Sequence, residues 1–457
     1  MSTVTHELPR SPEDLAGAGK KLRERVPIES HGKWKAPSSG RDPLAILRAA
    51  DDQRIPQLVP IRYGRMLQSP FTFYRGSAGV MAADLANTSA TGIKVQACGD
   101  CHLKNFGGFA TPERNIIFDI NDFDETLPAP WEWDVKRLAA SFTLAARDNR
   151  FSEADARDAA AACARSYRKG IRNCAKMHPL DLWYSQFGVD EFLAEISAKN
   201  IRERIEARVE KATMKRGADV DYPKLTDAVH GEIRIRDVPP LIFHPEETRA
   251  VDFEPTVKDI LHRYRATLSD DRRVLLDRFA FVDAAIKVVG IGSVGTRCWI
   301  ALLMSASNEP LFLQLKQANA SVMEQFAGKS GYDHHGQRVV AGQRLMQAAS
   351  DIFLGWVTGP AGDFYVRQLR DAKISPLVET FDLTTLLAYA KLCGRNLARA
   401  HAKAGNAWTI GGYLGKSEEF EEAIGRFAVA YADQTEKDYE GLKDAVKAGD
   451  IEVYAEG

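Results

Sequence analysis

The sequence predicts an α+β protein: a mostly helical chain that carries one small antiparallel sheet region of about ninety residues. Two observations predict it. Helix-spaced apolar positions run through both ends of the chain, as in Leu383, Leu386, Leu387, Ala390, Gly394, Leu397 and His401. Between Phe279 and Leu369 the pattern changes to short runs rich in Val, Ile, Phe and Trp, which suit strands.

Residues 1–40 are polar and rich in Pro, Gly and Ser, with one short helix expected from Pro12 to Arg25. They read as an arm laid on the surface or a partly disordered one. From Asp42 to Asn87 the pattern is helical, Pro43 suiting a first turn and Pro56, Pro60 and Pro70 interrupting it. Gly92 to Ala97 reads as a strand. Phe106 to Thr111 and Asn115 to Ile120 form a hairpin around Pro112-Glu113-Arg114. Trp131 to Asn149 is helical, and Ser152 with Asp155 opens the next helix as a capping pair. Helices are expected from there to about Asp277, broken near Pro239-Pro240. Three strands follow, Phe281 to Val289, Thr296 to Met304 and Pro310 to Leu315. After them come a helix from Gln337 to Ala349 and two strands, Ile352 to Val357 and Phe364 to Leu369. The division is therefore an arm (1–40), a helical lobe (41–278), a β-rich lobe (279–372) and a helical segment (373–457) that completes the large lobe.

Composition narrows the class. Lys plus Arg is 61 against 62 Asp plus Glu, so no overall basic field points to nucleic acid. Six sparse cysteines do not make a disulfide framework and suit a reduced, cytoplasmic compartment. The first residues lack the basic-then-apolar pattern of a signal peptide. The longest apolar runs, such as Trp299 to Met304, are far too short to span a membrane.

Two stretches carry chemistry. The first is Cys98-Gly99-Asp100-Cys101-His102-Leu103-Lys104-Asn105-Phe106-Gly107, followed by Asp122-Phe123-Asp124. Acid, amide and acid at this spacing can hold a divalent metal and steer a hydroxyl onto a phosphate. Asp100 would take the hydroxyl proton, with His102 beside it organising the loop, and Asn105 and Asp122 would ligate magnesium, Asp124 serving a second ion. Either polar residue alone would be an ordinary turn former. Asp119 reads as a strand-end polar residue, and an EF-hand is excluded because the Gly and the closing Glu are missing. Cys98 and Cys101 have neither a redox fold nor a second pair for zinc, and read as incidental. His334 and His335 read as surface, Trp131 and Trp133 as core anchors, and Asp134 as a helix cap bracing the loop.

The second stretch is Gly290-Ile291-Gly292-Ser293-Val294-Gly295. A dinucleotide site would want a helix after the glycines and an acid ending the next strand. Here Thr296 to Ile300 alternates like a strand, and Phe312-Leu313-Gln314-Leu315-Lys316 ends in Lys. That pattern suits a glycine turn over phosphates followed by a phosphate-binding Lys. Lys316 closes a run that reads as buried, where an unpaired ammonium is costly, so an anion is its expected partner. The nearest downstream acid is Glu324; the Gln337 to Ala349 helix has none.

Gly99-Asp100-x-His102-x-x-Asn105 with Asp122-Phe123-Asp124 resembles the catalytic and metal motifs of aminoglycoside and choline kinase-like phosphotransferases. Leu397-Ala398-Arg399-Ala400-His401 resembles the helix that directly precedes the catalytic loop in those enzymes. The wider set, GDCHLKNFG, NDFDETLPAPWEWDVKRLA, VVGIGSVGTRCW, LFLQLKQA and GGYLG, resembles the bacterial family called domain of unknown function 2252, from about residue 40 onward. The kinase-like resemblance implies a two-lobed protein-kinase-like fold with ATP and Mg2+ between the lobes. Gly290, Gly292, Gly295, Lys316 and Glu324 would serve the nucleotide, and the acceptor would be a small molecule or a protein. The chain order is reversed relative to kinases, which a circular permutation explains, and permutation at exposed loops preserves the packed neighbours. Asp100 and Lys316 should then face one another across a single cleft. The rival readings are a nucleotide-binding pseudokinase and a dinucleotide-dependent oxidoreductase.

Overall fold

The computed structural model describes residues 10–188, 222–229, 232–369 and 374–454, with isolated residues between 191 and 210. The N-terminal part is a string of short helices that mostly begin on proline: Pro12–Arg25, Pro43–Asp51, Val59–Met66, Pro70–Gly76 and Ala78–Leu85. Proline tolerates the first helical turn because no donor is needed there. The arm is more deeply seated than its polarity implies. Val26, Ile28 and His31 are buried, and Arg23 donates to the Gly412 and Tyr413 carbonyls.

Four short strands follow: β1 (Lys94–Ala97), β2 (Phe106–Ala110), β3 (Ile116–Ile120) and β4 (Leu127–Pro130). β2 and β3 form the expected hairpin, Phe106 opposite Ile120. β4, with Pro at two of its four positions, pairs antiparallel with β1 as an edge, where a missing donor is tolerated.

Helix Trp131–Asp148 is the hub of the large lobe: every residue from Trp131 to Ala146 is buried. Helices Glu153–Cys174 and Leu383–Ala404 pack closely beside it, the contact being too tight at Gly394 for any side chain; a Cβ there would overlap the Cys163 carbonyl oxygen. Helices Ala407–Leu414 and Glu419–Lys447 complete the lobe.

The region expected to be helical up to Asp277 departs from that reading. Besides β5 (Phe187–Gly188), it contains β6 (Thr226–Val229), β7 (Glu232–Ile235) and β8 (Ile242–Phe243). The β-branched residues Thr226, Val229, Ile233, Ile235 and Ile242 find sheet partners there, and helix resumes at Phe253–Arg265 and Asp270–Leu276. Part of this stretch lies outside the described residues.

The small lobe is one antiparallel sheet built from β9 (Phe279–Lys287), β10 (Cys298–Ser305), β11 (Pro310–Gln317), β12 (Gly355–Gly359) and β13 (Gly362–Gln368), in the order β12-β13-β11-β10-β9-β8. Helix His335–Met346 connects β11 to β12 and packs on β12 and β13. His334 caps that helix through Nδ1, and the His335 amide bonds Asp363, so this histidine pair fixes a helix start. Among the described residues no helix is long and apolar enough to cross a membrane.

Candidate active site

The catalytic-type loop is held from below by its own hub helix. Strand β1 ends at Ala97, and the next amides, Cys98 N and Gly99 N, donate to the two oxygens of Asp134 at 2.8 and 3.0 Å. Asp134 therefore braces the loop, as expected, though the helix itself starts on Pro130 with no side-chain cap. His401 Nε2 lies 3.1 Å from the same carboxylate, and its Nδ1 is 2.9 Å from the Tyr167 hydroxyl. The Ala400-His401 segment, at the far end of the chain, thus closes the underside of the loop.

Gly99 has a φ of +85°, which lets the chain turn sharply there. Asp100 follows, its Oδ1 accepting from Arg137 of the hub helix. Burial works against the Arg137 charge, but Asp100 outweighs it and holds the guanidinium protonated. Arg137 lies one helical turn from Asp134, so both reach the same loop; that spacing was the available signal in the sequence. Oδ2 of Asp100 is left toward the cavity, 3.7 Å from His102 Nε2. Burial, then Arg75 and Arg137, push the His102 pKa well below its ordinary value, so the ring is neutral. The Asn105 amide nitrogen donates to the Asp100 carbonyl at 2.7 Å, which leaves its side-chain oxygen available to a ligand.

The Asp122-Phe123-Asp124 turn lies over this loop, and Lys316 comes down onto it from β11. Lys316 Nζ donates to Asp124 Oδ2, 192 residues away in sequence, and lies 3.8 Å from Asp122. Burial alone would lower the lysine pKa; Asp122 and Asp124 reverse that and raise it. Asp124 also accepts from the Tyr365 hydroxyl at 2.8 Å and the Ser293 hydroxyl at 3.2 Å. Burial is outweighed by Lys316, so its pKa falls, while burial and the Asp124 charge push that of Asp122 upward. The acid beside Lys316 is therefore Asp124 from the opposite lobe. Glu324 lines the same cavity, but its carboxylate lies 3.9 Å from the His335 ring. In the acid-free helix Arg338 donates to the carbonyls of Thr126 and Asp124 at 2.6 and 2.8 Å, tying it to the turn.

Asp100, Asn105, Asp122, Gly290, Gly292 and Ser293 share one cavity of about 560 Å³ between the lobes. Gly290 and Gly295 have φ of +70° and +89°, so the loop follows a path that other residues would strain. It is seated on the N-terminal helices: Arg65 donates to the Gly290 carbonyl at 2.6 Å, Arg54 to that of Val294, and Ile55 N to that of Gly295. After Gly295 the chain turns and enters strand β10, so no helix opens on the glycines to receive a pyrophosphate.

The donor set suits a hard divalent cation: an amide oxygen on Asn105 and two crowded carboxylates, one of them raised in pKa by burial and then by its neighbour. The Cys98, Cys101 and Asp134 atoms also come within 4.8 Å of one another. Burial raises both thiols, Cys101 to about 12, and Asp134 is already occupied by two amides and His401, so they are inert packing. Sequence reading took Asp119 for a strand-end polar residue; it is a buried carboxylate paired with Arg399 at 2.8 Å.

The profile of a bacterial family, described as "Uncharacterized protein conserved in bacteria (DUF2252)", matches residues 54–445. No curated protein and no solved structure matches the chain.

Proposed function

Starting from a chain that belongs to the DUF2252 family, we propose that it is an ATP- and magnesium-dependent phosphotransferase of kinase-like fold, permuted in chain order, acting on a hydroxyl acceptor. One observation carries the reading: Lys316 of the sheet lobe is bonded to Asp124, beside Asp122, and both acids line the cavity shared by Asp100, Gly290 and Gly292. The sheet supports it. A glycine turn joins β9 to β10, the Lys is on β11, a helix follows, and β12 and β13 complete the lobe, the order of parts in a kinase-type nucleotide lobe.

In this reading Gly290, Gly292 and Gly295 let the loop backbone approach the phosphates, and Lys316 leaves Asp124 to hold the α- and β-phosphates. Asp100, its Oδ1 fixed by Arg137, accepts the acceptor hydroxyl proton at Oδ2. His102, neutral and packed beside it, keeps that carboxylate in place. Asn105 and Asp122 would hold magnesium, which would supply positive charge to offset that of the phosphates.

The test is calorimetric Mg·ATP binding together with ATP turnover. Asp122→Asn and Lys316→Met should each weaken binding by about tenfold or more, and Asp100→Asn should bind normally but turn over about 10²–10⁴-fold more slowly. Wild-type protein that does not bind Mg·ATP, or binding untouched by both of the first two changes, overturns the proposal. A pseudokinase is favoured by the absence of an acid on helix His335–Met346; tight Mg·ATP binding without turnover on any hydroxyl acceptor would establish it.

A further inference from the structure

We infer that Arg75 supplies the cation that meets the transferring phosphoryl group, which makes the N-terminal helices a third wall of the active site. The inference rests on the phosphotransferase reading above. Arg75 is in helix Pro70–Gly76, whose start is fixed by a reciprocal capping box between Ser69 and Thr72. Its backbone carbonyl lies 3.5 Å from where a Cβ on Gly292 would stand, so the residue sits directly under the tip of the glycine loop. Its side chain lines the cavity shared by Asp100, Asn105 and Asp122.

Three arginines approach the loop from these helices, and they differ in one respect. Arg54 and Arg65 donate to loop carbonyls. Arg75 has no hydrogen-bond or ion-pair partner among the described residues, and its Nε is buried without an acceptor. Burial lowers its pKa, while the charges of Asp100, Glu379 and Asp122 favour protonation, so a partly desolvated guanidinium faces the reacting carboxylates with its donors unmet. Leaving such a group unpaired is costly. A planar fork of donors beneath a phosphate-covering loop is matched by the three equatorial oxygens of a phosphoryl group in transfer.

The step it would serve is balanced within the site. The acceptor oxygen attacks the γ-phosphorus. The bond from that phosphorus to the β–γ bridging oxygen breaks, its electron pair leaving on ADP, and the acceptor proton passes to Asp100. Arg75 offsets the charge on the equatorial oxygens, which is largest while the group is in flight.

The experiment compares the affinity of the full chain for Mg·ADP with its affinity for Mg·ADP plus tetrafluoroaluminate, a mimic of the phosphoryl group in transfer. Wild type should bind the second more tightly. Arg75→Gln should keep its Mg·ADP affinity, which also reports that it folds, yet lose at least about tenfold of the fluoroaluminate gain; Arg75→Lys should recover part of it. A full gain retained in Arg75→Gln overturns this inference alone. Wild-type protein that fails to bind Mg·ADP overturns the phosphotransferase reading and the inference with it.

Discussion

Below the Gly99–Asn105 loop and above it lie two clusters of charged side chains, and they are built on opposite principles. Below, Asp134 accepts from Cys98 N, Gly99 N and His401, and Asp119 accepts from Arg399, Ile120 N and Ala348 N. Both carboxylates are occupied by partners from the fold, and the Arg399–Asp119 side chains are 1% and 0% exposed. Above, Asp122 and Asp124 are 36% and 28% exposed, Asp100 lines the cavity, and Arg75 has no hydrogen-bond partner among the described residues. A closed cluster stores geometry. An open one keeps donors and acceptors for a ligand; on the proposed reading Lys316 would exchange Asp124 for phosphate.

The largest expected effect tests the closed side. Arg399→Met leaves the Asp119 carboxylate buried without its counter-charge, which should cost about 3–5 kcal/mol of stability by chemical denaturation. Asp134→Asn comes next. An amide offers one acceptor where the loop uses two, so about 1–3 kcal/mol should be lost. If either variant unfolds at the wild-type denaturant midpoint, the lower cluster is not what holds the loop.

The open side should respond in reverse. Lys316→Met removes a pair whose acid is partly solvated and keeps Tyr365 and Ser293, so stability should change by less than about 1 kcal/mol in urea unfolding. A loss as large as that of Arg399→Met would erase the distinction between the two clusters.

The two clusters were unequally legible in the sequence. The open one is legible in outline, because Asp100, Asn105, Asp122 and the Gly290–Lys316 stretch are local patterns whose residue types stand within a few positions of one another. The hairpin, the sheet strands and the hub helix were legible for the same reason, since periodicity is local. The closed cluster was not. Arg399 and Asp119 are 280 residues apart, and nothing in the surroundings of either announces the other. Lys316 was matched to Glu324 on proximity in sequence, whereas its partner arrives from another lobe. Arg75 was missed because its significance lies in the lack of a partner, which only the packed structure exhibits. Strands β6 to β8 were read as helix, their β-branched residues being too few per run to override the helical stretches around them.

A further comparison asks how far the closed side extends. From Asp134 the contacts run through His401 and Tyr167 to Trp131, which stacks on Tyr167 with ring centroids 5.6 Å apart, and on to His31 edge-on to Trp131 at 6.4 Å. His31 Nε2 is 2.7 Å from the Tyr413 hydroxyl, and its Nδ1 is buried without a partner. Burial, helped by Lys136, lowers its pKa from 6.5 to about 3. A depressed histidine contributes stability that is full above 6.5 and is lost as pH falls toward 3, because the unfolded chain takes up the proton first. Between pH 7 and pH 5.5 wild type should therefore lose about 1 kcal/mol more than His31→Gln, read from urea midpoints at the two pH values. Equal losses would mean that water reaches His31, and the closed cluster would then end at Trp131 instead of running on into the N-terminal arm.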